Sequence, residues 1–481
     1  MNIEKNIKLP KNWLLTTIGE IGIIVNGGTP STQNKNYWGE EIPWITPSDL
    51  SKYTKKYISH GNRNISKEGL NNSSAKLLPK GTILFSSRAP IGYTVIAQNE
   101  LTTNQGFKNL ITTESLLNEY VYYYFKTLKP LAEEVASGTT FLELSSQKFS
   151  KLPFPLPPFD EQVEIVAKIN ELFSALDCVD NYLIDLRNKL LTYRHSILSD
   201  KFKAKWKHQK WKNILNIKNG KSYKGIENEN GKYPIYGSAG IINYTDQYLC
   251  NENSIIIGRK GTINKPLYIK EKFWNIDTAF GIEVNQKILN PKFFYYFTLT
   301  YNFLELNQSS TIPSLTKSKL LKIDMPVPDL KTQNNIVIEI EKSFSIIDNI
   351  DKVIINSINK ANTLRYSILN KAFTGNLIKD HSSKNAKDLF INIQKEKNKD
   401  MEEKKELEKN KIKTRKTMNN ELSILELLTE QSKQILVNDL WQQSIYKDDV
   451  EKFYSELKKI EKNIIIEKIN KSSFIRIKNA N

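Results

Sequence analysis

The chain has 481 residues, and its 70 Lys and Arg against 52 Asp and Glu give a formal net charge of +18. This length predicts more than one domain, because single hydrophobic cores stop growing well below it. The chain has only two cysteines, Cys178 and Cys250, which excludes a disulfide framework or a Cys-rich zinc site. It has neither an apolar run long enough to cross a bilayer nor a signal segment, so we expect a cytoplasmic protein that makes no membrane contact.

The excess of positive charge indicates a polyanionic partner such as nucleic acid. However, 62 of the 70 basic residues are Lys, and Ile and Asn are also abundant. An AT-rich coding sequence produces the same composition. Charge alone therefore leaves both explanations open.

The first predicted domain, residues 1–157, is rich in strands and turns. Strands are expected at 21–25, 82–86 and 94–97, separated by turns that contain Gly or Pro. An aromatic helix follows at 120–125. Its rings form either a packed core face or a base-stacking platform, and we favour the core face.

The second predicted domain, residues 204–328, has the same plan. Strands at 254–257 and 266–270 flank the loop Gly258-Arg259-Lys260-Gly261, and an aromatic helix follows at 293–297. An offset of 171 residues pairs Arg88 with Arg259.

The same offset aligns residues 140–202 with 311–373 without a gap, and 23 of the 63 pairs are identical. Each copy passes from a proline-containing extended segment into a helix, predicted over 158–203 and 329–378. Apolar or small residues recur along both helices at alternating steps of four and three, which is typical of a heptad seam. At 1.5 Å per residue, each helix is about 60 Å long. The seam includes Ile169, Leu176, Leu183, Leu190, Ile340, Ile347, Ile354 and Leu364.

Two such helices in one chain predict a spacer in which they pair as an antiparallel coiled coil. Pairing between chains is the alternative. Residues 379–420 are predicted as a charged linker, within which 395–416 is a solvated helix or a flexible segment. Residues 421–481, where Leu422, Leu425 and Leu428 mark the first of three short helices before a hairpin, suggest a winged-helix-like domain that binds DNA or, as we prefer, a partner subunit.

The predicted fold class is therefore α+β. Two globular α/β domains are separated by two long helices that pair as an antiparallel coiled coil, and a small C-terminal winged-helix-like domain follows.

Several motifs resemble the specificity subunit of type I restriction–modification enzymes. They are Leu9-Pro10-Lys11-Asn12-Trp13, Gly27-Gly28-Thr29-Pro30, the run from Ile42 to Leu50, Ser87-Arg88 with Ile91-Gly92, and Pro155-Leu156-Pro157-Pro158 with Glu161-Gln162. The repeated order of domain, long helix, domain, long helix over residues 9–378 resembles that family too. No single motif is specific, but their order and duplication are.

The resemblance implies two target-recognition domains, each of which reads one half of a bipartite double-stranded DNA site. It also implies two modification subunits that transfer a methyl group from S-adenosylmethionine to adenine, and restriction subunits that translocate and cut DNA with ATP and Mg. This chain would carry no cofactor of its own. Because the two halves differ strongly in sequence, we expect an asymmetric target.

Candidate DNA-binding residues combine scarce arginines with polar and basic loop residues. Arg88 and Arg259 can form bidentate pairs with guanine, although a salt bridge that holds the loop is an equal alternative. Asn104 and Gln105 can pair with adenine, or serve a turn. The complete set is Thr46, Arg63, Ser87, Arg88, Asn104, Gln105, Lys221, Tyr223, Lys224, Arg259, Lys260 and Lys265.

No catalytic motif is recognisable. Gly220-Lys221-Ser222 lacks the upstream Gly of a phosphate-binding loop, and the four histidines lack metal-ligand spacing. We therefore expect a noncatalytic subunit without a metal site. The alternatives are a restriction–modification enzyme that has lost its catalytic part, and a coiled-coil scaffold or regulatory protein that reads no DNA sequence.

Overall fold

The computed structural model describes residues 8–138, 142–307, 311–418, 424–430, 434–444, 446–447, 449–469 and 472–478. The chain divides into two compact units, Met1–Lys168 with Leu369–Asn481, and Ile169–Ile368. The six segments predicted above are finer than this division and stay a prediction. Thr140, where the sequence repeat begins, and Leu422 lie outside the described residues.

The first unit is built on a five-stranded sheet in the order β2-β10-β7-β8-β5. Its central strand β7 is buried along its whole length, and helices α2 and α3 pack on β8. A four-stranded sheet, β3-β6-β4-β9, and the pair β1-β11 complete the domain. The strands are β1 Leu14–Thr17, β2 Gly22–Asn26, β3 Trp38–Gly39, β4 Ile42–Ile45, β5 Tyr57–Ile58, β6 Arg63–Ile65, β7 Ile83–Ser87, β8 Ile91–Ala97, β9 Thr102–Thr103, β10 Phe107–Thr112 and β11 Pro153–Leu156, and the short helices are α1 Lys67–Asn71, α2 Asn118–Phe125, α3 Lys129–Val135 and α4 Ser146–Ser150.

Helix α2 is aromatic because it closes the core of the first domain. Its last six side chains are buried, so they form a core face and no base-stacking platform. Tyr120 and Tyr124 also contact Phe373, with ring centroids 5.3 and 5.1 Å apart. Residues from the end of the second sequence repeat therefore complete the core around this helix.

The second unit repeats the sheet order of the first. Its main sheet is β13-β19-β16-β17, which matches β2-β10-β7-β8 strand for strand, and α7 packs on it as the second aromatic helix. A smaller sheet has the order β15-β14-β18, and β12 pairs with β20. The elements are α6 Trp211–Ile214, α7 Pro291–Thr300, α8 Lys317–Leu320, β12 His208–Lys210, β13 Leu215–Asn219, β14 Tyr233–Gly237, β15 Gly240–Thr245, β16 Ser254–Gly258, β17 Leu267–Ile269, β18 Trp274–Asn275, β19 Ala279–Val284 and β20 Asp324–Pro326.

The two long helices are α5 Phe159–Phe202 and α9 Leu330–Phe373, each of 44 residues. Within the second unit they run antiparallel, because ion pairs join Arg187 to Asp351, Arg194 to Asp348 and Lys201 to Glu339. Partners later in α5 thus lie earlier in α9. The helices pair within one chain, while the packing geometry of a coiled coil stays a prediction.

Seven of the eight predicted seam residues are buried or partly buried, including the fully buried Ile169. Ile340, Ile347 and Ile354 are buried, and Leu176, Leu183 and Leu190 are partly buried. Leu364, in contrast, is 50% exposed, and Arg365 beside it takes the inward position with its side chain 19% exposed. A heptad stripe is wider than a two-helix contact, so the charged neighbours decide which of its edges is covered.

After α9, the chain forms α10, Ala386–Met418. The sequence predicts a linker over 379–420, but the first turns of α10 pack against the first domain. Ile393 is fully buried there, and Glu396 accepts hydrogen bonds from the backbone and side chain of Ser115. This part of the segment is therefore held in place and does not act as a free linker.

The C-terminal elements follow the order helix, strand, two helices, hairpin. Strand β23 lies between β21 and β22, and the core contains Leu440, Phe453 and Ile475. The winged-helix class stays a prediction. None of the helices in the described ranges is long and apolar enough to cross a membrane. The elements are α11 Ile424–Glu430, α12 Val437–Gln443, α13 Val450–Lys459, β21 Ile435–Leu436, β22 Ile464–Ile469 and β23 Ser472–Ile477.

Candidate nucleic-acid interface

In the first domain, three loops meet at the ends of β2, β7 and β10. Gly27 lies so close to the loop before β10 that an added Cβ would be 1.9 Å from the carbonyl oxygen of Asn104. Thr29 donates a hydrogen bond to Oε1 of the exposed Gln105. Glycine is required because the two backbones touch at this point. The predicted pair Asn104 and Gln105 thus lies against Thr29, a residue outside the predicted set.

Thr46 follows β4 of the four-stranded sheet and Ser87 ends β7 of the five-stranded sheet, and both side chains make local hydrogen bonds. Thr46 precedes a short 3-10 helix, and its backbone N–H and Oγ1 both donate to Asp49 Oδ2, over 2.7 and 2.6 Å. Ser87 is fully buried, and its Oγ donates to the carbonyl oxygen of Gly106 over 3.1 Å. The prediction that Ser87 binds DNA is therefore corrected: without exposed surface, its side chain positions the loop beside Arg88.

Arg88 is the charged residue of this edge. Its Nη1 lies 3.5 Å from Glu143 Oε2, and 34% of its side chain is exposed. Lys108, on the neighbouring strand β10, is almost buried, and burial lowers its pKa, while Glu143 opposes that shift and Arg88 adds to it. Glu143 and Lys108 are absent from the predicted set, because neither lies near Arg88 in sequence. The salt bridge that the sequence predicts as the alternative role of Arg88 is therefore present.

Arg63 has a different support. Its guanidinium carbon lies 3.6 Å from the ring centroid of Trp38 and 5.8 Å from that of Trp44. Trp44 Nε1 donates to the carbonyl oxygen of Gly28 over 2.9 Å, which connects this stack to the loop that carries Thr29. Stacking on indole restricts an arginine without using its hydrogen-bond donors. Arg63 is exposed and remains able to contact a phosphate or a base.

The second domain forms the corresponding edge from other residues. Arg259 Nη1 donates to the carbonyl oxygen of Asp277 over 3.3 Å, and its backbone N–H donates to Thr278 over 2.8 Å. Lys260, exposed, follows on the same loop, and Lys265 is exposed further along the connection between β16 and β17. A backbone carbonyl therefore holds Arg259, whereas a carboxylate holds Arg88.

Lys221, Tyr223 and Lys224 follow β13, where Thr29 follows β2 in the first domain. Gly220 repeats the close contact of Gly27, since an added Cβ would lie 1.8 Å from the carbonyl oxygen of Ile276. Lys221 accepts a hydrogen bond at its carbonyl oxygen from Trp274 Nε1, which fixes the backbone. Lys221 and Lys224 are exposed, and Tyr223 is half-buried.

Each domain thus presents a polar, partly basic edge of loops on a rigid sheet. In DNA-binding proteins, Lys commonly contacts phosphates, and Arg, Asn and Gln commonly contact base edges. Within the part of the chain that the structure describes, His, Cys, Asp and Glu form no group of three that could hold a metal ion.

Comparison with known proteins agrees with this arrangement. The family model of the type I restriction modification DNA specificity domain matches residues 10–186 and 203–360. The chain therefore belongs to the type I restriction–modification specificity subunits, and the mixed α/β class with two repeated domains is confirmed.

Two curated relatives show the extent of the similarity. The MjaIX specificity subunit of Methanocaldococcus jannaschii is 34% identical over 356 residues, which cover 65% of this chain and 82% of the relative. The EcoR124I/EcoR124II specificity subunit of Escherichia coli is 28% identical over 192 residues, which cover 38% of this chain and 47% of the relative.

Two solved structures share the fold. A chain from a study of complex assembly and conformational transition of the type I R-M system has a TM-score of 0.64 at 18% identity, covering 77% of this chain and all of the other. The HsdS subunit from Thermoanaerobacter tengcongensis has a TM-score of 0.51 at 17% identity, and the match covers 78% of this chain and all of that subunit.

Proposed function

We propose that this chain is the noncatalytic, DNA-reading subunit of a type I restriction–modification complex. The first domain reads one half of an asymmetric bipartite target and the second domain reads the other half. The observation that carries the proposal is the duplicated loop edge: two sheets of the same strand order present different side chains at the same place. Different side chains on one scaffold read different bases.

The candidate reading residues divide into two roles. Arg88, Arg63 and Gln105 would contact bases or phosphates of the first half-site, with Thr46, Ser87 and Asn104 holding their loops. Arg259, Tyr223 and Lys221 would contact the second half-site, together with Lys224, Lys260 and Lys265 on phosphates. Arg88 is the strongest candidate in the first domain, because a guanidinium fork matches the guanine edge.

The long helices would act as the spacer and as the docking surface for two modification subunits. Support comes from the edge of the heptad stripe that the helix pair leaves uncovered. Val179 and Tyr182 on α5 and their repeat equivalents Ile350 and Val353 on α9 are between 38% and 66% exposed. Exposed apolar stripes on paired helices are typical of protein interfaces.

The partners would supply all chemistry: adenine methylation with S-adenosylmethionine from the modification subunits, and ATP- and Mg-dependent translocation and cleavage from the restriction subunits. A cytoplasmic location follows from this role.

The test is methylome sequencing of cells with and without the chain. We expect one bipartite, non-palindromic adenine motif to disappear when the chain is absent. Arg88→Ala should relax one half of that motif and Arg259→Ala the other. A palindromic motif, or methylation by the purified chain alone, would contradict the proposal.

A scaffold without sequence-specific DNA reading is the second candidate. It is distinguished by the salt dependence of DNA binding, because phosphate contacts release counterions and weaken steeply as salt rises. Weak binding with no salt dependence and no sequence preference would favour the scaffold.

A further inference from the structure

The C-terminal domain contains an open groove, and none of the candidate DNA-binding residues lines it. The groove has a volume of about 600 Å³ and lies between α12, α13 and the hairpin β22–β23. Its lining includes Leu436, Trp441, Val450, Tyr454, Leu457 and Ile466, with Lys458 and Glu461 at the rim.

Helix α13 has one apolar stripe, formed by residues 450, 453, 454 and 457, and only part of its width is covered by the core. Phe453 and Leu457 point into the core, and they are 0% and 5% exposed. Val450 and Tyr454, on the other edge of this stripe, are 45% and 58% exposed and line the groove, which Leu457 also borders. Ile466, across the groove, is 52% exposed. A helix of a small domain needs one apolar face to fold. The exposed edge of the stripe, which the core does not cover, is therefore available to a partner.

The charge of this domain argues against DNA as that partner. Residues 421–481 contain ten Lys and Arg and ten Asp and Glu, so their formal charges cancel, and the first 420 residues carry the whole +18. Phosphate neutralisation needs a basic surface. The groove rim carries one charge of each sign, Lys458 and Glu461. An apolar floor with a mixed rim is complementary to an amphipathic protein segment.

We propose that this groove binds an amphipathic helix of a partner protein. The groove residues of α13, with the rim residue that follows it, run from Val450 to Glu461, about 16 Å at 1.5 Å per residue. A partner helix with anchors at i, i+4 and i+7 extends over about 11 Å and fits this length. The anchors are large apolar side chains, and polar residues flank them toward Lys458 and Glu461.

The experiment is site-specific photo-crosslinking in cells that express the full chain together with the modification and restriction subunits of a type I system. A benzoylphenylalanine probe replaces Tyr454 inside the groove, and the matched control carries it at Glu451, exposed on the same helix and outside the lining. Mass spectrometry then identifies the crosslinked segment. We expect a helix with apolar residues at i, i+4 and i+7 from another protein, captured from position 454 and not from 451.

A second variant tests the groove itself. Ile466→Asp places a charge on the apolar floor and should lower the crosslink yield from position 454 by about tenfold or more. Because Ile466 is half exposed, the domain should still fold, which thermal unfolding verifies; Val450→Asp provides an independent second lesion. Crosslinks to DNA, to a second copy of this chain or to another segment of it, or the absence of any crosslink, would overturn the proposal. DNA binding by the same variants is measured separately, so failure of the DNA-reading function is distinguishable.

Discussion

Arg365 and Asp177 form an ion pair between the two long helices, with 2.5 Å between Nη2 and Oδ1. The offset of 171 residues converts this pair into Asp348 and Arg194, which form the second ion pair at the same distance. One contact is therefore made twice, once in each direction, as two antiparallel copies of a repeated helix require. The ion pair between Arg187 and Asp351 has no such duplicate, because the repeat equivalent of Arg187 is Ile358. Asp180, the repeat equivalent of Asp351, pairs with Arg365 instead.

We expect Arg365→Met to lower the free energy of unfolding by about 2 kcal/mol, between the values for exposed and buried pairs. Arg365 and Asp180 are 19% and 18% exposed, so the substitution leaves a poorly solvated carboxylate without its partner. The control Arg194→Met removes the equivalent arginine at a pair that is 37% and 52% exposed, and should cost less than about 1 kcal/mol. Urea unfolding of the full chain measures both, and equal losses would contradict this account.

The contact between Gly27 and Asn104 predicts that the loss of stability on replacing a glycine of the first domain depends strongly on which glycine is replaced. Gly27→Ala forces a Cβ to within 1.9 Å of a carbonyl oxygen, so the loop must move, at a cost of about 3 kcal/mol. Gly39→Ala meets its nearest neighbour at 3.6 Å and should change stability by about 0.5 kcal/mol or less. Thermal unfolding of both variants compares them, and DNA binding by Gly27→Ala should weaken as well.

The ion pair between Arg88 and Glu143 predicts that substitutions of its two residues change the affinity for DNA in opposite directions. If Arg88 leaves Glu143 to contact DNA, Glu143→Gln removes both a competing partner and a negative charge, and affinity should rise. Arg88→Ala should lower affinity by about tenfold. The control Glu134→Gln makes the same charge change at an exposed site on α3. Fluorescence anisotropy with target DNA measures the three variants. Lower affinity for Glu143→Gln would assign Arg88 to holding the loop.

Glu161 lies at the start of α5, and we expect that replacing its carboxylate by an amide strongly destabilises the protein. Its side chain is 2% exposed and accepts hydrogen bonds from Asn12 Nδ2, Trp13 Nε1 and the backbone N–H of Ser382, and it pairs with His381. Glu161→Gln puts an amide donor among these donors and should cost about 3 kcal/mol.

Limited proteolysis should then cleave Glu161→Gln near residue 380 faster than the wild type, because the hydrogen bonds that hold this segment are lost. Glu164→Gln, exposed on the same helix, should leave both stability and cleavage unchanged. Unchanged cleavage in Glu161→Gln would show that other contacts hold the segment.

The ionised carboxylate of Glu283 should stabilise the second domain, and this stabilisation should be lost at low pH. Burial would raise the pKa of this carboxyl, but hydrogen bonds from Lys218 and Asn251 outweigh burial and lower it below its ordinary value of 4.5. A lowered folded-state pKa means that the stabilisation is complete above 4.5 and is lost as pH falls through the lower value. Glu283→Gln should therefore be less stable than the wild type at neutral pH, and the difference should shrink below about pH 4. A constant difference in urea unfolding across this range would contradict the assignment.

The sequence by itself determined the duplication, the two long helices and the aromatic core helices. A gapless repeat and a heptad pattern are local properties of the chain, and burial of aromatic and apolar residues at helical spacing needs no knowledge of the partner surface. Asp177, Asp180 and Arg194 are also identical to their repeat equivalents, so the residues that form the ion pairs are part of the sequence repeat, beside its apolar positions.

The tertiary structure alone decided which edge of the heptad stripe is covered and which loop residues face solvent. Leu364 and Arg365 are neighbours, and charges across the helix pair, not periodicity, select Arg365 for the inward position. Likewise Ser87 is buried and Arg88 reaches Glu143, 55 residues further along the chain, because strand pairing brings these segments together. Contacts between residues distant in sequence depend on chain topology, which the pattern of a single segment does not contain.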